Sequence, residues 1–272
     1  MPELPEVETI KTELTPYIVG HRITGVTIFW DRIVREPSIE EFRSRIIGQK
    51  ITNVARRGKY LLVSLSSDDL LIIHLKMSGS LLVADGSAEP PKYTQAILSL
   101  NNNTRIFFRD PRKFGLMRLV NDRNHVIGKL GPEPLEPGFT PEVLAQLLAK
   151  RTAPIKALLC NQNLIAGVGN MYADEALFLA RIHPLRPGGS LTRKEIEHLH
   201  HAIRKVLVAG IRKKGASVLN YYRPDGTLGT AHFEFKVAHR GGEPCPNCST
   251  PIARLAIRGR GSYFCPKCQP AT

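Results

Sequence analysis

The feature that most constrains the fold is a change of hydrophobic period near the middle of the chain. Before it, short segments rich in leucine and β-branched residues are separated by turn residues such as Asp68 and Asp69, which is typical of antiparallel strands in a sandwich or barrel. After it, apolar residues recur at helical spacing. The boundary is GPEPLEPGFTP, residues 131–141, whose four prolines indicate a linker or an extended crossing. The sequence therefore predicts an α+β chain with two different parts.

The first part is predicted to begin with a helix. Pro5 suits the first helical turn, and Glu6 and Glu8 lie near the positive end of the helix dipole. Gly20 is the expected stop. A short amphipathic helix is predicted at 39–47. The predicted strands are 22–30, 50–55, 60–65, 70–75, 80–84, 96–100, 105–108 and 115–120, and the helices of the second part are 141–150, 154–160, 170–182 and 192–214.

The charge balance indicates an anionic partner. The chain holds 38 basic and 24 acidic side chains, a net charge of +14. Residues 1–140 contribute 19 basic and 16 acidic side chains, whereas residues 141–272 contribute 19 and 8. Nucleic acid is the usual partner of such a surface, although a basic enzyme without a polyanionic ligand has the same composition. No apolar run reaches a membrane span and no signal-peptide core is present, so we expect a cytoplasmic protein with no membrane partner.

Four of the five cysteines form the pattern C-x2-C-x16-C-x2-C, at Cys245, Cys248, Cys265 and Cys268. Each pair can present two thiolates to one tetrahedral ion, and 16 residues suffice for a hairpin between the pairs. A redox pair is the alternative, but it lacks a thioredoxin-like context. Four thiolates leave no open coordination position, so the sequence predicts one structural Zn²⁺.

The segment between the cysteine pairs contains arginines and no acidic residue. In a strand, Arg254, Arg258 and Arg260 share one face, and Ala253, Leu255 and Ile257 share the other. The apolar face is expected to pack on the protein. The basic face is either a solvated surface or a contact for phosphates, and the charge balance favours the contact.

Two glycines precede a helix in the segment NLIAGVGNMYADE, residues 163–175. Asn170 is predicted to cap this helix, whose free N–H groups offer an anion site. Helix capping alone would also explain the pattern. A dinucleotide fold is excluded because the third glycine is missing and the segment follows a helix.

Three further residues have an ordinary structural interpretation. From residue type alone, Met77 and Phe114 are expected in the core, and Arg112 is expected to pair with Asp110.

Taken together, these segments resemble the formamidopyrimidine-DNA glycosylase family of base-excision repair enzymes. The resemblance extends over nearly the whole chain in this order: MPELPEVET, RRGKYLL, HLKMSG, DPRKFG, GPEP, NLIAGVGNMYADEAL and the four-cysteine module. It implies an N-terminal antiparallel β-sandwich flanked by helices and a C-terminal helix–two-turn–helix domain with a zinc-finger hairpin. It also implies a monomer that acts on double-stranded DNA containing an oxidised base or an abasic site.

The resemblance gives Pro2 a role that helix chemistry does not. If Met1 is removed, Pro2 carries a terminal secondary amine, and a terminal amine titrates at roughly 7.7–8.0. Such an amine can attack the sugar C1′ and form a Schiff base. By resemblance, Glu3 is the acid and base at the sugar, Glu6 holds the N-terminus and the sugar, and Lys59 completes the catalytic set. The implied reaction is base release followed by β- and δ-elimination.

The resemblance also assigns DNA contacts. His74, Asn170 and Arg260, together with Lys59, match positions that grip phosphates around the lesion. Met77, Arg112 and Phe114 match residues that fill the space of the extruded base and contact its partner base. This role replaces the core positions and the Asp110 pairing that residue type alone predicts. The loop 216–235 is expected to cover the extruded base. The family usually has valine, tyrosine and glycine where this chain has Val237, Ala238 and His239, so the chain departs at the last two positions. The phosphate contact of that tyrosine is lost or made by His239.

The domains predicted in this way are a catalytic sandwich (1–132), a linker (133–140), a helical domain (141–240) and a zinc module (241–272). The expected substrates are 8-oxoguanine opposite cytosine and formamidopyrimidines. One alternative is an enzyme like endonuclease VIII that acts on oxidised pyrimidines, but that branch usually starts proline-glutamate-glycine and lacks the Met77, Arg112 and Phe114 wedge. The other is a DNA-binding protein with a zinc module and no activity.

Overall fold

The computed structural model describes residues 1–218 and 221–271. Contacts divide the chain into two compact units. The first is Met1–Lys129 with Lys213–Thr230, and the second is Leu130–Arg212 with Ala231–Thr272. No helix in the described part of the chain has the length and apolar content needed to cross a membrane.

The first unit is built from two β-sheets and three helices among its described residues. Its elements are α1 (Leu4–Ile18), β1 (Ile23–Ile28), β2 (Val34–Glu36), α2 (Ile39–Ile46), β3 (Ile51–Arg57), β4 (Tyr60–Leu65), β5 (Leu70–His74), β6 (Ser80–Asp85), β7 (Thr94–Leu100), β8 (Thr104–Arg109), β9 (Leu116–Val120) and α3 (Asn124–Ile127). One sheet has the order β2-β9-β5-β4-β3 and the other has the order β1-β7-β8-β6. All pairs are antiparallel except β2 with β9.

The two sheets and α1 share one apolar core. Leu14 of α1, Val63 of β4 and Phe108 of β8 are buried in the same cluster. Strands such as β4, β5 and β7 are buried over three or more consecutive residues, and the helical spacing of Val7, Ile10 and Leu14 supplies the buried side of α1. The predicted antiparallel sandwich flanked by helices is confirmed.

The segment 213–230 belongs to the first unit, and specific contacts hold it there. The N–H of Val83, a residue of β6, donates to Pro224 O at 2.8 Å. Arg223 forms an ion pair with Glu13 of α1 at 2.8 Å. No periodic pattern in the sequence signals this return of the chain. Residues 219–220, in the predicted lesion-base loop 216–235, lie outside the described residues.

The second unit contains the helices and the cysteine module. Its elements are α4 (Pro141–Leu148), α5 (Ile155–Leu159), α6 (Asn170–Ala180), α7 (Arg193–Arg212), β10 (Ala253–Ile257) and β11 (Arg260–Phe264). Helix α7 contacts both α4 and α6, and Leu144, Leu177 and Ile203 are buried residues of these three helices. The four predicted helices are confirmed.

The start of α6 differs from the sequence prediction. Gly169 is the N-cap, and Asn170 is the first helical residue. Gln162 fixes the preceding turns, because its side chain donates to Val168 O at 2.7 Å and accepts from the Gly167 N–H at 2.9 Å. The Asn170 side chain is therefore not needed as a cap and is available for another contact.

Candidate active site and nucleic-acid interface

The start of α1 holds three of the predicted catalytic residues in a buried position. Pro2, Glu3 and Glu6 are all buried, and Glu6 has no exposed surface. The Glu6 carboxylate accepts the Glu3 N–H at 2.7 Å and the Ala216 N–H at 2.8 Å. Since the two donors, Glu3 and Ala216, are far from each other in sequence, they hold the carboxylate from two sides in one position. The carboxylate in turn fixes the backbone next to Pro2. Buried carboxylates are stable only with such donors.

Gly215 makes this arrangement possible and was not identified from the sequence. It has φ +80°, and a Cβ there would lie 2.8 Å from Glu6 Cγ. Only glycine combines this backbone conformation with so close an approach. Its place directly after a lysine-rich helix end is a recognisable helix-stop signal, but nothing in the sequence connects it with Glu6.

Lys59 and His74 lie at one end of the five-stranded sheet. Lys59 is in the turn between β3 and β4, after Gly58 with φ +57°, and it is buried. Its neighbour Tyr60 is paired with His74 in the β4–β5 register. The Tyr60 and His74 rings meet edge to face at 4.5 Å between centroids. The structure thus brings these two predicted phosphate contacts to the same sheet edge.

His74 is a neutral hydrogen-bond donor. Burial, with the nearby cations Lys76 and Lys59, lowers the pKa of His74 to about 3. Its Nδ1 accepts the Lys76 N–H at 2.9 Å, so the proton of the neutral ring resides on Nε2. A neutral ring with a donor nitrogen can bind an anionic oxygen without changing its own charge.

Asp110 organises the loop after β8. One carboxylate oxygen accepts the Phe114 and Gly115 N–H groups, both at 2.7 Å. The other accepts the Arg112 N–H at 3.2 Å and the Ser78 hydroxyl. The expected pairing of Asp110 with the Arg112 guanidinium is therefore wrong: the carboxylate is occupied by backbone N–H groups, and the guanidinium is left for another partner.

Met77, Arg112 and Phe114 form an exposed cluster, which we call the wedge. The exposed fractions of Met77 and Phe114 are 46% and 44%. The Arg112 Nη1 lies 3.5 Å from Met77 Sδ, and the guanidinium carbon lies 4.7 Å from the Phe114 ring centroid. Residue type alone predicts core positions for the methionine and the phenylalanine, and that expectation is wrong. The family resemblance assigns these three residues to one group, and in the structure they contact one another.

The four cysteines of the C-terminal motif can hold one metal ion. All four Sγ atoms lie within 4.8 Å of one another. The Cys248–Cys265 and Cys245–Cys268 Sγ separations are 3.4 and 3.8 Å, near the ~3.8 Å edge of a tetrahedron with 2.3 Å Zn–S bonds. Backbone N–H groups of Asn247 and Cys268 point at two of the sulfurs. The residues present fit a Zn²⁺ ion with four thiolate ligands.

The hairpin between the cysteine pairs presents arginines to solvent. Arg254, Arg258 and Arg260 are exposed, whereas Ile257 and Phe264 are buried. Arg258 is not in a strand. It occupies the two-residue turn with Gly259, where both residues have positive φ (48° and 76°), as a type I′ hairpin requires. The prediction of one basic face is thus correct for Arg254, while Arg258 and Arg260 lie at the tip.

Asn170 connects the helical element to this hairpin. Its Nδ2 donates to Gly261 O at 2.8 Å, next to Arg260 in β11. Lys156 of α5 donates to Asn170 O at 2.6 Å and pairs with buried Asp174. Two predicted phosphate contacts, Asn170 and Arg260, are therefore held close together within the second unit.

The departure at Ala238 and His239 has a structural basis. Glu175 of α6 accepts the N–H groups of Val237 and Ala238, at 2.8 and 2.9 Å. Ala238 is 2% exposed, so a small side chain is enclosed there. His239 has φ +63° and its ring lies 5.5 Å from the Tyr263 ring. His239 is exposed, and Tyr263 of the hairpin is partly exposed.

Comparisons with known proteins agree over the whole chain. Residues 1–117 match the family model of the formamidopyrimidine-DNA glycosylase N-terminal domain, residues 130–221 that of the H2TH domain of the same enzymes, and residues 242–271 that of a zinc finger found in FPG and IleRS. The chain is 48% identical to the formamidopyrimidine-DNA glycosylase of Chloroflexus aurantiacus over 99% of this chain and 98% of the relative.

Solved structures show the same similarity in three dimensions. The MutM (Fpg) protein of Thermus thermophilus superposes with a TM-score of 0.90 at 39% identity, covering 98% of each chain. A Lactococcus lactis Fpg mutant, solved in complex with DNA containing Fapy-dG, superposes with a TM-score of 0.93 at 34% identity, covering 99% of this chain and 100% of that one. The resemblance seen in the sequence is confirmed, and the chain belongs to the formamidopyrimidine-DNA glycosylase family.

Proposed function

We propose that this protein is a base-excision repair enzyme, a DNA glycosylase and abasic-site lyase that removes oxidised purines from double-stranded DNA. The substrates are 8-oxoguanine opposite cytosine and formamidopyrimidines. The observation that carries the proposal is the buried start of α1. There the Glu6 carboxylate accepts two backbone N–H groups, those of Glu3 and Ala216, and so fixes the backbone next to Pro2. The names of the relatives and the lesion-containing DNA in the Lactococcus lactis complex support it.

Pro2 is the proposed nucleophile. After removal of Met1, its ring nitrogen is a secondary amine, which is partly neutral near pH 7 because terminal amines titrate far below lysine. Attack on C1′ forms the bond to nitrogen while the damaged base leaves and the amine gives up its proton. The C1′–O4′ bond then breaks and O4′ takes a proton, which leaves an iminium between C1′ and the ring nitrogen. This iminium carries its positive charge without a proton and accepts electron density when the phosphates leave by β- and δ-elimination.

The neighbouring residues have separate roles in this proposal. Glu3 moves protons at the deoxyribose and the leaving base, because it is adjacent to the amine. Glu6 is a positioning residue, since both of its oxygens are occupied by the Glu3 and Ala216 N–H groups. Lys59 supplies positive charge for the phosphates and completes the catalytic set.

DNA binding is proposed to use surfaces of both units. The base must leave the stack to reach Pro2, and the wedge fills the vacated space with apolar side chains while Arg112 donates to the partner cytosine. His74 and Lys59 contact phosphates, and so do Asn170 and Arg260. Zn²⁺ bound by the four cysteines holds the hairpin in shape and takes no part in the chemistry.

The division into domains is part of the same proposal. Residues 1–132 supply the catalytic groups, 133–140 link them to the helical residues 141–240, and 241–272 form the zinc module that contacts DNA. Within 141–240, the segment 213–230 packs with the first unit. The loop 216–235 covers the extruded base. We further propose that the protein acts as a monomer in the cytoplasm, associated with the nucleoid through DNA.

Borohydride trapping tests this function. A duplex with one 8-oxoguanine opposite cytosine is incubated with the protein and borohydride, and the reduced adduct is mapped by mass spectrometry. We expect the nucleotide on Pro2 and no adduct when Met1 is retained by blocking its removal. An adduct on an internal lysine contradicts the mechanism. An adduct with thymine glycol but not with 8-oxoguanine favours the pyrimidine-specific alternative, and no adduct with either favours an inactive DNA-binding protein.

A further inference from the structure

A groove in the second unit is lined by none of the residues assigned to DNA contact. Its volume is 640 Å³, and it is lined by α6, α7, the short helix Ala231–Glu234 and the first cysteine loop. The lining residues of α6 include Phe178 and Leu179. Since an α-helix rises 1.5 Å per residue, Phe178 lies about 12 Å along the axis from Asn170. The groove extends along α6 from Tyr172 to Leu179, and its Leu179 end is remote from the proposed phosphate contact at Asn170.

The floor of the groove is aromatic. Tyr172, Phe178 and Phe235 line it and are each 7% exposed or less. The Tyr172 and Phe235 rings meet edge to face at 5.7 Å between centroids. Gly210 of α7 leaves room at this point, because a Cβ there would lie 2.6 Å from the Tyr172 ring. The floor therefore suits an aromatic or large aliphatic side chain.

The rim of the groove is basic. Arg181, Lys205 and Lys236 line it, and all three are exposed. Within residues 1–218 and 221–271, none of these three side chains forms an ion pair. Of the two acidic lining residues, Glu175 is buried and its carboxylate is occupied by backbone N–H groups. Glu234 is exposed, so the exposed charged side chains of the lining are three cations and one carboxylate. The rim thus offers positive charge to a ligand.

We propose that this groove is a docking site for the acidic C-terminal segment of a partner protein that ends in an aromatic or large aliphatic residue. The terminal side chain enters the aromatic floor, and the terminal carboxylate and preceding acidic side chains pair with the rim cations. The combination selects such a peptide over a DNA backbone, which has the charge but no apolar side chain for the floor. Charge complementarity at the rim also speeds association.

The test uses a fluorescein-labelled peptide of four aspartates followed by leucine and a C-terminal phenylalanine, with fluorescence anisotropy on the full-length protein. We expect saturable binding that weakens at least about tenfold in Lys205→Glu and in Ala209→Glu, since both place a carboxylate at the groove. Both positions are exposed on α7, so the fold is retained, as circular dichroism checks. The matched control is Lys194→Glu, an exposed lysine of α7 outside the groove, which binds as the unmodified protein does.

Two further measurements locate the bound peptide. With benzoylphenylalanine in place of the terminal phenylalanine, photo-crosslinks are expected in α6, in α7 or at 231–236. A duplex containing an abasic-site analogue is expected to bind without displacing the peptide. Crosslinks confined to the arginine hairpin, displacement by the duplex, equal binding by Lys205→Glu and Lys194→Glu, or no saturable binding each overturn the proposal. Excision activity of the Lys205→Glu variant is expected to be unchanged, so this outcome is independent of the repair function.

Discussion

At the scale of single residues, buried carboxylates decide which neighbouring side chains are available for function. Asp110 accepts backbone N–H groups on both oxygens, and these bonds fix the loop in which Phe114 is exposed. It also accepts the hydroxyl of Ser78, the neighbour of exposed Met77. Glu6 likewise accepts backbone N–H groups at the start of α1. In both cases the carboxylate is fully enclosed, so its hydrogen bonds are not exchanged with water and each one contributes to a unique local geometry.

The first prediction is that Asp110→Asn destabilises the protein and disorders the wedge. An amide replaces one accepting oxygen by a donor that faces N–H groups, so we expect the free energy of unfolding to fall by about 1–3 kcal/mol. Urea denaturation measures this change. The matched control is Glu89→Gln, at an exposed position that forms no hydrogen bond within residues 1–218 and 221–271. Equal stability of the two variants would contradict the role assigned to Asp110.

The second prediction concerns the pH dependence of stability. The pKa of His74 is lowered to about 3 in the folded state, whereas it is about 6.5 in the unfolded chain. The unfolded state therefore binds a proton first as pH falls, and stability is lost below pH 6.5. At pH 5 the contribution of His74 to this loss is about 2 kcal/mol.

Comparison of two variants isolates that contribution. The unfolding free energy of His74→Gln is expected to fall less between pH 7.5 and pH 5 than that of the unmodified protein. His198→Gln, at an exposed position of α7, is expected to keep the full dependence. Parallel curves for all three proteins would show that His74 is not held neutral.

At the scale of elements, periodicity in the sequence predicts long elements well and short ones poorly. Apart from β2, the strands of both sheets agree with the predicted segments, and so do helices α4 to α7. Strand β2, three residues long, was not predicted because its stability comes from parallel pairing with β9 and not from its own pattern. The cap of α6 was misassigned by one position, because the bonds of Gln162 to Val168 and Gly167 determine where the helix begins.

The candidate site shows the same limit. The four cysteines are local in sequence, so spacing alone predicts their cluster. The contact of Gly215 with Glu6 joins positions more than 200 residues apart, and no pattern within a short window carries that information. The wedge was found only through resemblance, since apolar residue types by themselves indicate a core.

The third prediction is that the hairpin β10–β11 depends on the metal, whereas the sandwich does not. Cys265→Ser removes one of four thiolates, and metal binding is coupled to folding in such modules. We expect duplex binding to weaken by about 100-fold, from the loss of three arginine contacts at ~1 kcal/mol each. Trp30, the only tryptophan, packs against the sandwich core and reports on the first unit.

The fluorescence of Trp30 is expected to be unchanged in Cys265→Ser. The control is Cys160→Ala, the cysteine outside the cluster, which is expected to retain the metal and duplex binding. If Cys265→Ser binds duplex normally while its metal content is zero, the hairpin does not need the ion.

At the scale of the whole molecule, charge is unevenly distributed along the chain. Residues 141–272 carry 19 basic and 8 acidic side chains, whereas residues 1–140 carry 19 and 16. The catalytic candidates near α1 are in the half with nearly balanced charge, and the exposed arginines of the hairpin are in the basic half. The basic half therefore supplies most of the attraction for an anionic polymer, independently of the chemistry at Pro2.

The fourth prediction follows from this distribution. Each neutralised phosphate releases counterions, so the logarithm of the binding constant falls linearly with the logarithm of the salt concentration, with a slope of about −0.9 per contact in duplex DNA. If Arg260 contacts one phosphate, Arg260→Gln makes the slope less negative by about 0.9. Lys194→Gln removes the same charge from an exposed site on α7 and is expected to leave the slope unchanged. Anisotropy titrations between 50 and 300 mM salt, about a sixfold range, resolve a difference of this size. Equal slopes for both variants would mean that attraction comes from net charge and not from a contact at the hairpin tip.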